Sequence, residues 1–199
     1  MIITLADPGS MNIKDANGEI YIGGSQEWYE DKWHKLSGCG PVAASNLIWY
    51  KTRAQGGREQ YLELIREMFG FVTPKRQGVN TSAIFTGGLA LFGEKNGLRI
   101  ATRALEIPGK PRRRPGIGAV RDFISTALGA DSPVAFLSLS NGSLSKLDNW
   151  HWVTIIALDT ENMHVEISDD GKTFDADIAQ WLKTSLFGGA FVYLASCGA

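Results

Sequence analysis

The strongest constraint on the fold is a glycine-rich turn that leads into a helix, with a cysteine at the junction. Residues 37–50 read Ser-Gly-Cys-Gly-Pro-Val-Ala-Ala-Ser-Asn-Leu-Ile-Trp-Tyr. Proline is favoured at the first helical position because its missing N–H would have no partner there, so we expect a helix that begins at Pro41 with Gly40 as its cap. Cys39 would then lie just outside the helix N-terminus, where free N–H groups and the helix dipole favour a thiolate.

Cys39 taken alone has a simpler interpretation. Free cysteine is among the most buried residue types and usually acts as a small apolar side chain. A nucleophilic cysteine needs a base and a group that orients the base. The choice between these interpretations depends on which residues the rest of the chain brings to Cys39.

Composition and charge narrow the class of protein. The chain has 199 residues, of which 44% are apolar and 21% are charged, as in an ordinary globular domain. A net charge of −1 gives no general electrostatic reason to bind nucleic acid or an anionic membrane. No stretch has the ~20 apolar residues of a membrane span, and the first 25 residues lack the apolar core of a signal peptide. We expect a cytoplasmic protein, or a secreted one if a signal peptide has been removed.

The cysteines and histidines form neither a disulfide framework nor a metal motif. Cys39 and Cys197 are the only cysteines, and pairing them would remove the candidate nucleophile. His34, His151 and His164 lack the spacing of zinc ligands. We therefore expect no metal and no organic cofactor, and we interpret Cys197 as a tail residue without a role.

Helical patterns precede strand patterns along the chain. The first half has three segments with helical periodicity, at residues 41–53, 59–69 and 80–96. The second half has five segments typical of strands, at residues 99–105, 133–139, 151–158, 165–168 and 190–194. This order predicts one α+β domain over residues 1–199, with a helical lobe at about 26–97 and an antiparallel sheet lobe at about 98–199. Residues 26–35 have neither period and are predicted to form a loop across the mouth of the site.

His151 is the stronger of two candidates for the base. It opens an apolar strand after the polar loop at 141–150, so its ring can point from the strand end into a cleft. His34 is the second candidate because it lies five residues before Cys39. A residue so close in sequence to the nucleophile is more often exposed to solvent.

Asp169 ends the next strand and is the candidate that orients His151. A three-residue turn at 160–162 would place Val153 opposite Asp169 and leave His151 diagonal to it on the same face. A two-residue turn would shift the register by one residue and bring Asp170 to His151 instead. The alternation of apolar residues along this strand favours Asp169 as the inward-facing residue.

Three motifs together resemble the papain-like cysteine peptidases, and more narrowly their bacterial C39-like branch. They are Gly-Cys-Gly-Pro followed by Ala-Ala at 38–44, His-Trp-Val-Thr at 151–154 and Ile-Ser-Asp-Asp-Gly at 167–171. The resemblance covers about residues 26–194. It implies a papain-like fold, in which the nucleophile begins a helix and the histidine lies on a later strand.

The resemblance also implies a role for each residue. The thiolate of Cys39 attacks a carbonyl, His151 takes and returns the proton, and Asp169 accepts the Nδ1 proton of the imidazole. The oxyanion is stabilised by hydrogen bonds from the backbone N–H of Cys39 and from an upstream glutamine. In papain that glutamine lies six residues before the cysteine, where this chain has Trp33. The nearest candidate is Gln26, thirteen residues before Cys39.

These residues predict a cysteine hydrolase that cleaves peptide bonds through a thioester acyl-enzyme and acts on a peptide or protein substrate. One alternative is acyl transfer or amidase chemistry with the same triad, because an amine resolves a thioester as readily as water. Another is a non-catalytic member that only binds a peptide, although such a protein has no physical need for Cys39 and His151. Nothing in the sequence indicates an oligomeric state.

Overall fold

An antiparallel sheet of seven strands organises the fold. The structure is a computed structural model that describes residues 1–195. Its strands are β1 (Ile2–Thr4), β2 (Asn12–Lys14), β3 (Ile20–Ile22), β4 (Ala101–Ile107), β5 (Val134–Ser138), β6 (His151–Asp159), β7 (His164–Asp169), β8 (Lys172–Asp177) and β9 (Gly189–Ala195). The order in the main sheet is β4-β9-β5-β6-β7-β8 with β1 also paired to β6, and β2 pairs with β3 as a separate ribbon.

Six α-helices lie within residues 1–195. They are α1 (Lys32–Ser37), α2 (Cys39–Lys51), α3 (Arg58–Phe71), α4 (Ser82–Lys95), α5 (Ile117–Gly129) and α6 (Ile178–Thr184). None of these helices is long and apolar enough to cross a membrane.

Helices cover both faces of the main sheet. Side chains alternate along β5, so Val134 and Phe136 pack in a core with α5 and α6. Ala135 and Leu137 point to the other face and pack in a core with α2, α3 and α4. This architecture confirms the α+β class and the antiparallel sheet of the C-terminal half. The sheet also takes in the N-terminus, because β1 pairs with the end of β6.

The helix that carries Cys39 is buried on every side. Each residue of α2 from Cys39 to Tyr50 is buried. The helix contributes to three separate hydrophobic clusters, through Tyr50, Leu47 and Trp49 respectively. The position of Cys39 is therefore fixed by packing that surrounds the whole helix.

The helix begins at Cys39, two residues earlier than the predicted start at Pro41. Gly38 is its N-cap, and Pro41 is its third residue. Proline is tolerated there because the first N–H groups of a helix have no partner within the helix. Cys39 is thus the first helical residue, not the residue before the cap.

The predicted loop at residues 26–35 is also wrong. Residues 26–28 form a 3₁₀ turn, and α1 follows it. Asp31 starts this helix, because its carboxylate accepts hydrogen bonds from the backbone N–H groups of Trp33 and His34. This helix has fewer than two turns, so its polar and aromatic residues are too few to show a clear helical period in the sequence.

Candidate active site

Cys39 lies beside a cleft of about 480 Å³. The cleft is lined by side chains of α1, by the loop at 76–78 and by residues 149–150. Close packing around the cysteine requires two glycines. A Cβ at Gly38 would lie 2.5 Å from the ring of Tyr29, and a Cβ at Gly40 would lie 2.7 Å from the side chain of Val79. As the first residue of α2, Cys39 also lies where unpaired N–H groups and the helix dipole favour a negative charge.

His151 is buried at the start of β6 and lies close to both of its predicted partners. Its Nε2 donates a hydrogen bond of 2.9 Å to Oδ1 of Asp169. Its side chain is also within hydrogen-bonding reach of Cys39. The nitrogen that meets Asp169 is therefore Nε2 and not the predicted Nδ1, which leaves Nδ1 for the thiol.

Two opposing influences set the charge of His151. Burial lowers its pKa, because the imidazolium loses hydration. The hydrogen bond to Asp169 and the contact with Cys39 raise it, and together they outweigh burial, so the pKa of His151 lies well above its ordinary value. The raised pKa favours the imidazolium, which is the form that pairs with a thiolate.

The register that places Asp169 at His151 has a different origin from the one predicted. The loop between β6 and β7 has four residues, 160–163, and Leu158 pairs with Val165. That register, continued, would bring Asp170 to the site. A β-bulge between Ile155 and Ala157 shifts it by one residue. Beyond the bulge the pairing is the predicted one.

Asp170 and Gly171 form the two-residue turn between β7 and β8. Their φ angles are 46° and 76°, as in the hairpin turns that Asp-Gly favours. The strand β8 has no counterpart among the predicted strands, but the Asp-Gly dipeptide is the sequence signal that would have identified it. The side chain of Asp170 contacts residues 25–26 and not His151.

Gln26 begins the 3₁₀ turn beside this hairpin. Its backbone N–H donates a hydrogen bond of 3.2 Å to Oδ1 of Asp170. Its side-chain Oε1 is buried without a hydrogen-bond partner. In the part of the chain that the structure describes, no hydrogen bond joins Gln26 to Cys39. The structure therefore brings His151 to Asp169 and within reach of Cys39, whereas Gln26 is hydrogen-bonded to Asp170 and to none of these three residues.

A buried asparagine that the sequence analysis did not single out connects three parts of the site. Asn46 lies seven residues after Cys39 on α2. Its Oδ1 accepts hydrogen bonds from the N–H of Gly24 and the hydroxyl of Tyr61, at 3.0 and 2.6 Å. Its Nδ2 donates to Oγ1 of Thr154 on β6 at 3.0 Å. An asparagine within a largely apolar helix is the signal that could have found it.

The second candidate base is not placed to act on Cys39. The ring of His34 lies on the ring of Phe69, with 3.9 Å between centroids, and its edge meets Tyr29. His34 therefore serves as a packing residue of α1. Cys197 lies outside the described residues.

Within residues 1–195, no group of three or more His, Cys, Asp or Glu side chains is arranged to hold a metal ion. No known protein-family model matches the chain, and no curated protein is significantly similar to it.

Proposed function

We propose that this protein is a cysteine hydrolase that cleaves peptide bonds with a Cys39–His151–Asp169 triad. The observation that carries the proposal is the arrangement of these three residues. Cys39 at a helix N-terminus is within reach of His151, which Asp169 holds at 2.9 Å. A nucleophile, a base and a residue that orients the base are the three parts that such chemistry needs.

The proposed reaction has two steps. The Sγ of Cys39 attacks the amide carbonyl, His151 gives its proton to the leaving amine, and the C–N bond breaks to leave a thioester. Water then attacks the thioester and passes a proton to His151. The C–S bond breaks, so that the acid is released and Cys39 is regenerated. The N–H of Cys39 and the side chain of Gln26 are the proposed donors to the oxyanion.

The proposal includes a papain-like arrangement of the fold. A buried helix carries the nucleophile at its N-terminus, and it packs on an antiparallel sheet that supplies the histidine. The cleft supports a peptide substrate, because Trp33, Leu36 and Trp150 present exposed apolar surface along it. Substrate side chains would cover that surface.

A product analysis tests the reaction class. The protein is incubated with a mixed peptide pool and hydroxylamine, and the products are identified by mass spectrometry. New free carboxyl termini support hydrolysis, whereas hydroxamates alone indicate acyl transfer from the same thioester. Neither product, or products that persist in Cys39→Ala, would overturn the proposal in favour of a peptide-binding protein.

A labelling experiment tests the nucleophile without any substrate. Iodoacetamide is added at about pH 6, where an ordinary thiol is almost wholly protonated and reacts slowly. We expect Cys39 to be alkylated faster than Cys197, as measured by peptide mapping. Equal and slow labelling of both cysteines would contradict the assignment of Cys39.

A further inference from the structure

The turn between β7 and β8 is tied to residues 22–26 by backbone hydrogen bonds. Ile22 N–H donates to the carbonyl of Gly171 at 2.9 Å, and Gly171 N–H donates to the carbonyl of Gly24 at 3.1 Å. The hydroxyl of Ser168 adds a bond of 2.6 Å to the carbonyl of Ile22. We call these contacts the turn strap. They attach the segment before Gln26 to the hairpin that carries Asp169.

Asp170 extends the turn strap to Gln26 itself. Its Oδ1 accepts a hydrogen bond of 2.8 Å from the hydroxyl of Ser25 and one of 3.2 Å from the N–H of Gln26. Ser25 is buried, and its hydroxyl also caps the 3₁₀ turn that starts at Gln26. Two consecutive aspartates therefore hold different groups. Asp169 holds His151, and Asp170 holds the backbone of Gln26.

We propose that Asp170 is a positioning residue for Gln26, so that one hairpin turn aligns both the base and the oxyanion donor. The inference rests on the proposed function. A donor to an oxyanion works only if it is held in place before the reaction. The Oε1 of Gln26 has no hydrogen-bond partner, so the side-chain amide is not fixed by bonds of its own. Its placement therefore depends on the packing around it and on the position of its backbone, and Asp170 accepts the hydrogen bond from that backbone N–H.

The test compares two reactions of Cys39 in the Cys197→Ala protein, which has one thiol. With p-nitrophenyl acetate, the thiolate attacks the ester carbonyl, an S-acetyl thioester forms and p-nitrophenolate leaves. This acylation passes through an oxyanion. Iodoacetamide is attacked at a saturated carbon, where iodide leaves and no oxyanion forms. The ratio of the acylation rate to the alkylation rate therefore isolates stabilisation of the oxyanion.

We expect Asp170→Gly and Asp170→Ala to lower this ratio by about 10²-fold, because a misplaced catalytic group costs that much. The glycine variant removes the acceptor without straining the positive φ of 46°. Asp170→Asn should keep the ratio near normal, because an amide oxygen accepts the same two hydrogen bonds and asparagine tolerates this conformation. Gln26→Ala should lower the ratio by about 10²–10³-fold. Adding Asp170→Gly to it should cause little further loss.

Three results would overturn the inference. They are an unchanged ratio in Asp170→Gly, an equal fall of both rates, and losses from Asp170→Gly and Gln26→Ala that multiply in the double variant. Asp175→Ala is the matched control, since Asp175 is an exposed aspartate of the adjacent β8. A protein that shows the expected ratios but cleaves no peptide would support the role of Asp170 and overturn the peptidase assignment. A parent protein that p-nitrophenyl acetate does not acylate would overturn both.

Discussion

The two sides of the candidate active site are held by different forces. On the nucleophile side, α2 is buried from Cys39 to Tyr50 and packs in three hydrophobic clusters. On the Gln26 side, Trp28 and Tyr29 pack in a single hydrophobic cluster, and residues 22–26 are attached by individual hydrogen bonds from the turn strap, Asp170 and Asn46. Packing shared among many side chains changes little when one polar contact is lost, whereas a strap of a few bonds depends on each of them.

Because of this difference, reaction rates and the free energy of unfolding should respond to different substitutions. Substitutions in the polar contacts of the site should change reaction rates while the fold persists. Substitutions in the core around α2 should lower the free energy of unfolding while the folded fraction keeps its reactivity.

The largest effect is expected for His151→Ala. Loss of the base should slow peptide turnover by about 10²–10⁴-fold, and loss of the imidazolium should slow alkylation of Cys39. Both are measured on protein checked for folding by circular dichroism. His34→Ala is the control, because His34 packs on Phe69 and should leave turnover unchanged. A larger loss in His34→Ala than in His151→Ala would show that the base is misassigned.

Leu47→Ala tests the packing around the helix that carries Cys39. Leu47 is fully buried in the cluster that also contains Cys39. Removing most of its side chain should lower the free energy of unfolding by about 3 kcal/mol, from lost burial and the cavity left behind. Urea titration measures this change. The ratio of acylation to alkylation, measured where the variant is folded, should match that of the parent. A selective loss of acylation would mean that the core also positions the oxyanion donor.

The fold class was predictable because its signals are local. Helical periodicity in the first half and strand composition in the second half follow from residues that are neighbours in sequence. The junction around Cys39 was recognised for the same reason, although the helix begins two residues earlier. The short helix α1 was missed because six residues are too few to establish a period.

The site could be predicted only in part, because the positions of its side chains depend on contacts between residues that are far apart in sequence. Asp169 was predicted from a three-residue turn, yet the loop has four residues and a β-bulge around Ile156 corrects the register. The apolar run of β6 contains no residue that marks a bulge. The side chain of Asp170 bonds instead to residues 144 and 145 positions earlier in the chain. Spacing along the sequence does not encode such a contact.

The smallest expected effect is a shift in pH dependence caused by Asp169→Asn, which separates the charge of Asp169 from its hydrogen bond. The amide oxygen can still accept the Nε2 proton, so the ring keeps its orientation and part of the turnover should remain. The negative charge is lost, and the hydrogen bond to Asp169 is the largest cause that raises the pKa of His151. The pKa of His151 should therefore fall in the variant.

The direction of the shift follows from the form of His151 that the reaction needs. Protonated His151 pairs with the thiolate and gives its proton to the leaving amine, so turnover is lost as pH rises through the pKa of His151. With that pKa lowered, the alkaline limb of the turnover profile should move to lower pH. Asp175→Ala should leave this limb in place. An alkaline limb that stays at the parental pH in Asp169→Asn would mean that packing around His151, and not the charge of Asp169, keeps the imidazole protonated.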